Sequence, residues 1–136
     1  MKNKTLSKIM AVVMMSAVLL NSNMVANAKT ASTDFGTMTY SLTTGKNSSG
    51  KTATAKTSMP ANSKTYSYVR TKLEVQINST GAKILQGDVK GYYKKNTKIT
   101  ATAKTIKSYN VTKLAVFSCH EVVGRTSTER YEVVTI

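Results

Sequence analysis

The chain has 136 residues, and its 20 Lys and Arg against six Asp and Glu give a formal net charge of +14 at pH 7. It contains one cysteine, one histidine and no tryptophan. A single cysteine excludes a fold held by internal disulfides, and one His with one Cys cannot fill a zinc site. The scattered acids lack calcium-loop spacing. The sequence therefore predicts neither a resident metal nor a cofactor.

The first 28 residues have the order of a secretory signal peptide. A positive head precedes an apolar run at 9–20, and Ala26 and Ala28 occupy the −3 and −1 positions of a small-residue cleavage site. The run is shorter than the roughly 20 residues that a membrane-spanning helix needs, so we predict cleavage after Ala28. An uncleaved N-terminal anchor is the alternative. The position of Cys119 excludes a lipoprotein anchor, which requires a cysteine directly after the signal.

Residues 29–136 are then one secreted domain without a transmembrane anchor. Three of the basic residues lie in 1–28, so this part carries 17 basic and six acidic side chains, a formal charge of +11. Such an excess attracts polyanions through a salt-dependent field. It also serves solubility, and composition alone does not separate these two roles.

Turn-forming residues interrupt the rest of the chain about every 8–14 positions, without a sustained helical period. This spacing is typical of an all-β sandwich or barrel. We predict a small, single-domain antiparallel β-sandwich, immunoglobulin-like or similar; closure into a barrel is the alternative. About seven strands are expected, at 34–44, 51–58, 65–77, 83–93, 97–107, 111–123 and 129–136.

Alternation is clearest in the predicted strand 65–77. One side carries Val69, Thr71, Leu73, Val75 and Ile77, and the other carries Tyr66, Tyr68, Arg70, Lys72, Glu74 and Gln76. Strict alternation predicts one face on the core and one on water. The predicted strand 111–123 has apolar residues on both faces, which indicates a central or two-sided strand.

The hexamer TATAKT occurs twice, at 52–57 and at 100–105. Each copy precedes a second shared piece, TKLEV at 71–75 and TKLAV at 112–116. We expect two similar strand pairs joined by hairpins of different length. The alanines of both hexamers would face inward, and the residues expected to face outward are Thr52, Thr54 and Lys56 with Thr100, Thr102 and Lys104. Duplication and convergence on one strand composition both explain the repeat.

Catalytic chemistry has few candidates in this sequence. His120 and Cys119 are adjacent, but neighbouring side chains on a strand point to opposite faces and cannot share a proton. No GxSxG elbow or phosphate-binding glycine loop is present. We therefore predict a protein that is not an enzyme; a hydrolase that uses His120 is the remaining catalytic alternative.

Two groups of aromatic and cationic residues form a candidate polyanion-binding surface. Rings interleaved with cations can stack on sugars or bases while the charges hold phosphates. Tyr and Lys are also ordinary residues of exposed strands and sheet edges. The first group is Tyr66, Tyr68, Arg70 and Lys72; the second is Lys90, Tyr92, Tyr93, Lys94, Lys95 and Lys98.

The predicted function is that of a secreted, non-enzymatic module that binds anionic cell-envelope or extracellular polymers and is held at the cell wall by charge. Nucleic acid would be bound only non-specifically, through the same field. The alternative is a secreted antimicrobial, bacteriocin-like effector with a folded β structure. The sequence leaves open the oligomeric state and whether Cys119 joins two chains.

Overall fold

The computed structural model of the protein describes residues 28–48, 50–105, 110 and 113–136. Within these ranges the chain forms eight strands, and it contains no helix with the length and apolarity that crossing a membrane requires. The predicted signal peptide up to residue 27, with Ala26, lies outside the described residues. The strands are β1 (Lys29–Thr33), β2 (Gly36–Asn47), β3 (Gly50–Met59), β4 (Tyr68–Ile77), β5 (Lys83–Tyr92), β6 (Ile99–Lys104), β7 (Leu114–Val123) and β8 (Ser127–Thr135).

The strands form two antiparallel sheets, ordered β1-β2-β3-β6 and β5-β4-β7-β8. The two sheets stack face to face, and one core cluster joins Leu42 and Ala55 of the first to Leu73 and Val116 of the second. The all-β prediction is confirmed, and this two-layer arrangement agrees with a β-sandwich. Its immunoglobulin-like character stays a prediction.

The described residues contain one strand more than expected, because the chain starts pairing before residue 34. Strand β1 forms a hairpin with β2, in which Lys29 lies opposite Tyr40. The turn is closed by Thr33, whose Oγ1 donates to the Gly36 carbonyl and accepts from the Phe35 N–H. Gly36 has a φ of 138°, a region that glycine adopts without strain. Only Ala31 of β1 is buried, so the sequence KTAST shows little hydrophobic alternation.

The two hexamers lie side by side in one sheet. Strand β3 pairs with β6, and Ala55 is directly opposite Ala103. The alanines of both copies are buried, as predicted, and small side chains there let the second sheet approach closely. The expected hairpins are wrong: β3 and β4 belong to different sheets, as do β6 and β7. The following pieces pair in the other sheet, where Val75 is opposite Val116.

A second core cluster closes the end of the molecule where β4 starts and β5 ends. It includes Phe35, Met38 and Tyr66, with the partly buried Tyr93 and Ile99 packed against it. A Cβ added at Gly124 would lie 2.5 Å from the Phe35 ring, so only glycine fits there. The contacts of Tyr93 and Ile99 with this cluster hold the β5–β6 connection against the sandwich.

The alternation predicted for β4 is confirmed, but its second face is not in water. Arg70, Lys72, Glu74 and Gln76 are all buried, at 8, 6, 2 and 5 % exposure. Their neighbours on β7 are buried on both faces, as the two-sided pattern predicted. The outer face of β4 therefore differs from the expectation of a solvated surface.

Candidate binding surface

Tyr68 and Tyr92 form an aromatic pair at the end of the β5-β4-β7-β8 sheet. They are opposite each other in the β4–β5 ladder, and their rings lie 6.1 Å apart at 66°. The ammonium of Lys90 lies 4.6 Å from the centre of the Tyr68 ring, a cation–π contact. Tyr92 is 67 % exposed. The structure thus brings these three residues of the predicted surface together, and Tyr92 is largely open to solvent.

The β5–β6 connection carries three more of the predicted cations beside this pair. Lys94, Lys95 and Lys98 are exposed, and Asn96 between them has a left-handed φ of 54°, which Asn tolerates better than most residues. The turn is ordered by the Thr97 N–H, which donates to the Lys94 carbonyl at 3.2 Å. In the described part of the chain, no ion pair involves these three lysines.

Tyr66 does not share the surface of Tyr68, and the expectation that it faces outward is wrong. Strand β4 begins only at Tyr68, so strand alternation does not extend back to residue 66. Tyr66 is 4 % exposed, and the centre of its ring lies 6.2 Å from that of Phe35 and 5.0 Å from that of Tyr93. Burial, and then the neighbouring Tyr93 hydroxyl, raise the pKa of Tyr66. Tyr66 and the partly buried Tyr93 therefore belong to the core.

Arg70 is on the predicted face, but its charge is used inside the protein. Its Nε donates to Asp88 Oδ1 at 2.7 Å, its Nη2 pairs with Asp88 Oδ2, and its Nη1 lies 3.8 Å from Glu121. The hydrogen bond from Arg70, which outweighs the opposing effect of burial, lowers the pKa of Asp88. Lys72, at 6 % exposure, is equally withdrawn from solvent. These two cations are not free to meet a polyanion.

A cluster of carboxyls surrounds Arg70 on this face, and sequence reasoning missed it. Glu121 and Glu129 are directly opposite on β7 and β8, and the Tyr131 hydroxyl donates to Glu129 at 2.6 Å. Burial first, and then the Glu129 carboxyl, raise the pKa of Glu121. The only clue in the sequence would have been that Glu121 and Glu129 point to the same face of the sheet. That clue requires knowing how β7 and β8 pair.

His120 lies between the sheets, and Cys119 lies on the outer face of β7, as alternation predicted. The His120 Nδ1 is 2.9 Å from Thr57 Oγ1, and its Nε2 is 2.8 Å from Ser118 Oγ and 3.4 Å from Glu132. The Thr57 Oγ1 also lies 2.6 Å from the Thr71 Oγ1, and the Thr71 hydroxyl donates to the Ala101 carbonyl. His120 and Thr57 have no solvent exposure, and Ser118 has 1 %. A substrate has no access to these hydroxyls, so the arrangement acts as a buried polar network.

Among the described residues, no three His, Cys, Asp or Glu side chains are grouped so that they could hold a metal ion. Asp34 accepts a hydrogen bond from the exposed Thr126 hydroxyl at 2.7 Å.

Comparison with known proteins found no match: no family model, no curated protein and no solved structure is similar to this chain.

Proposed function

We propose that the protein is a secreted, non-enzymatic β-sandwich that binds anionic polymers of the cell envelope or the extracellular space. The contact surface consists of Tyr68, Lys90 and Tyr92 with Lys94, Lys95 and Lys98. Tyr66 and Tyr93 belong to the core, and Arg70 and Lys72 are buried on the outer face of the sheet, so we do not expect these four to contact the polymer.

One observation carries the proposal: an exposed aromatic ring lies beside Lys94, Lys95 and Lys98, and none of these three forms an ion pair within the part of the chain that the structure describes. Tyr92 is 67 % exposed, and Lys90 holds its ammonium 4.6 Å from the neighbouring Tyr68 ring. A ring can stack on a sugar or a base while ammonium groups bind the phosphates of the same polymer. The internal pairing of Arg70 with Asp88 leaves the lysines of the connection as the available charges.

The energy of such a contact comes mainly from counterion release. Each ammonium that neutralises a phosphate releases condensed ions, and the logarithm of the binding constant then falls linearly with the logarithm of salt concentration. Four lysines within nine residues can act on one stretch of polymer. Sequence preference is not expected, because nothing on this surface is arranged to read base edges.

The test measures retention of the secreted protein on isolated bacterial cell walls and on immobilised polyphosphate over a salt series. In the cluster variant, Lys90, Lys94, Lys95 and Lys98 are changed to Ser. The matched control changes four exposed lysines elsewhere, Lys46, Lys56, Lys104 and Lys113, to Ser. The cluster variant should reduce the salt slope by up to about four, roughly one for each lost contact, and the control by much less.

Equal losses in the two variants would show that net charge acts without a defined surface. Salt-insensitive retention would contradict the counterion mechanism. Inhibition of bacterial growth by the purified protein at concentrations that saturate the walls would favour the antimicrobial alternative.

A further inference from the structure

Tyr68 and Tyr92 differ in the access that each ring gives to a ligand. The Lys90 ammonium lies over the Tyr68 ring, 4.6 Å from its centre, so a cation already occupies that ring face. The Tyr92 ring meets the Tyr68 ring at 66°, and Tyr92 is nevertheless largely exposed. An edge contact of this kind holds an aromatic ring in place. Tyr92 is therefore an anchored ring that can accept one planar group from a ligand.

A further cation, Arg125, lies at the same end of the sheet and outside the residues predicted from the sequence. Cross-strand pairs place Tyr92, Tyr68 and Val123 side by side on β5, β4 and β7. Neighbouring strands are about 4.8 Å apart, so about 10 Å separates the backbones of Tyr92 and Val123. Arg125 follows Val123 in the β7–β8 turn, it is exposed, and no ion pair among the described residues involves it. Arg125 thus extends the cationic surface across this end of the sheet.

Backbone hydrogen bonds hold the segments that carry the ring and the cations. The Tyr93 N–H donates to the Ser67 carbonyl at 3.1 Å, and the Ser67 N–H donates to the Val123 carbonyl at 2.7 Å. In the β7–β8 turn, the Gly124 N–H donates to the Thr126 carbonyl at 2.8 Å. The backbone of the surface is therefore ordered before a ligand binds, which lowers the entropy that binding must overcome.

The composition of the stretch 89–98, VKGYYKKNTK, favours a nucleic-acid base over a sugar as the group that stacks on Tyr92. The stretch contains no Asp, Glu or Gln, and Lys ammonium groups donate hydrogen bonds but accept none. The hydroxyls of a sugar donate as well as accept, so they would lack carboxylate acceptors here. A base stacks through its face, while the phosphates beside it bind the ammonium groups.

The base that stacks on Tyr92 must be unpaired. In a duplex each base lies between its neighbours, and a protein ring reaches a base face only after a step has been unstacked, which costs free energy. A flexible single strand can present a base face without that cost. Stacking of this kind tolerates any sequence, because every base has such a face.

We propose that the ligand of this surface is single-stranded nucleic acid, with one base stacked on Tyr92 and with phosphates bound by Arg125 and by the lysines of the surface. The inference rests on the proposed function, and it adds the ligand class and one residue, Arg125. Stacking changes affinity without releasing counterions, whereas each phosphate contact changes the dependence of affinity on salt. The two contributions can therefore be measured separately.

The test uses fluorescence anisotropy of the purified protein with a labelled oligothymidylate of about twelve nucleotides. The comparison ligand is an abasic oligomer of equal length, which keeps every phosphate and every sugar ring but lacks the bases. The oligothymidylate should bind about tenfold more tightly than the abasic oligomer, and more tightly than a duplex of equal length. Tyr92→Ser should remove this preference at an unchanged salt slope, and Tyr92→Phe, which keeps the ring, should retain it.

Arg125 is tested through the salt slope. Arg125→Ser should reduce the slope for the oligothymidylate by about 0.7, the value for one phosphate contact on a single strand. The matched control is Arg130→Ser, at an exposed position on β8 where the Arg130 Nη1 donates to the Glu129 carbonyl. This control should leave the slope nearly unchanged. Equal reductions in the two variants would overturn the assignment of Arg125 to the surface.

Three results would overturn the ligand class: equal affinity for the oligothymidylate and the abasic oligomer, tighter binding of the duplex, or wild-type affinity in Tyr92→Ser. Equal affinity for the two strands that still depends on Tyr92 would indicate stacking on a sugar, as in a wall polymer. Salt-dependent retention on polyphosphate would in each case leave the proposed function intact. Loss of binding to polyphosphate and to both oligomers would overturn the proposed function as well.

Discussion

The outer faces of the two sheets differ in composition and in contact with water. The outer face of the β1-β2-β3-β6 sheet consists mainly of Thr, Ser and Lys side chains. There the hydroxyls of Ser58 and Thr100 lie 2.9 Å apart, and Lys56 is exposed. On β5-β4-β7-β8 the corresponding face carries Phe117 and Arg70, both buried. The first sheet therefore has one buried face, whereas the second is buried on both faces along its middle strands, β4 and β7.

The contrast shows what alternation in a strand does and does not report. Alternation assigns residues to faces, because the side-chain period of a strand is two. It does not identify what lies against each face. The pattern of β4 predicted solvated polar residues, but these lie on the same face as the buried Phe117 and Cys119 of β7. Three predictions test this difference between the faces, from the largest expected effect to the smallest, and a fourth adds a comparison on the inner face.

Replacing Phe117 by Ala in the full-length chain should lower the free energy of unfolding by about 3 kcal/mol, because a buried ring that packs with Ala115 and Cys119 is lost. The control Thr54→Ala, on the outer face of β3, should change it by at most about 0.5 kcal/mol. Urea denaturation followed by circular dichroism measures both. A Phe117 effect no larger than that of Thr54 would mean that the two outer faces are energetically alike.

Replacing Arg70 by Met should cost about 2 kcal/mol, since it leaves Glu121 as a buried carboxylate without its cation; Asp88 is 41 % exposed and suffers less. The control Lys56→Met, at an exposed position, should stay within about 0.5 kcal/mol. Adding Glu121→Gln to the Arg70 variant should restore part of the loss. The same denaturation assay applies, and no recovery in the double variant would contradict the assignment of the loss to the stranded charge.

The smallest expected effect concerns Glu121, and it depends on pH. Its pKa in the folded protein is raised above the ordinary 4.5, first by burial and then by Glu129, so its ionisation opposes folding. Glu121→Gln should therefore stabilise the protein by about 0.5–1 kcal/mol at pH 7. The gain should shrink as pH falls through the raised pKa and vanish below about 4.5.

Glu132 lies on the inner face of the same sheet, and its ionisation should affect stability in the opposite direction to that of Glu121. Burial alone would raise its pKa, but the contacts with His120 and Lys29 outweigh burial and lower it. Its charged form thus favours folding above about pH 4.5, and that contribution is lost as pH falls through the lowered pKa. Glu132→Gln should destabilise at pH 7 and have little effect in acid. The check is thermal unfolding of both variants between pH 3.5 and 7. As pH rises, the change in Tm relative to the wild-type chain should become more positive for Glu121→Gln and more negative for Glu132→Gln. The same trend in both variants would contradict opposite roles for the two carboxylates.

Much of the fold could be predicted because strand and turn preferences are local. Seven of the eight strands overlap their predicted ranges, and β1 was missed because a five-residue edge strand buries only Ala31. The candidate surface was predicted in part. Tyr68, Lys90 and Tyr92 meet as neighbours in one ladder, whereas the position of Tyr66 depended on where β4 begins.

The sequence by itself determined which residues of a strand share a face. Alternation separated Cys119 from His120, and the Ala–Thr pattern of the two hexamers set their inward and outward sides. Only the tertiary structure decided which surfaces meet. The pairing of β3 with β6, the hydroxyls around His120 and the partners of Arg70 join residues that are distant along the chain. Local preferences act over a few residues, whereas the burial of a charge or a ring depends on all the elements that exclude water from it.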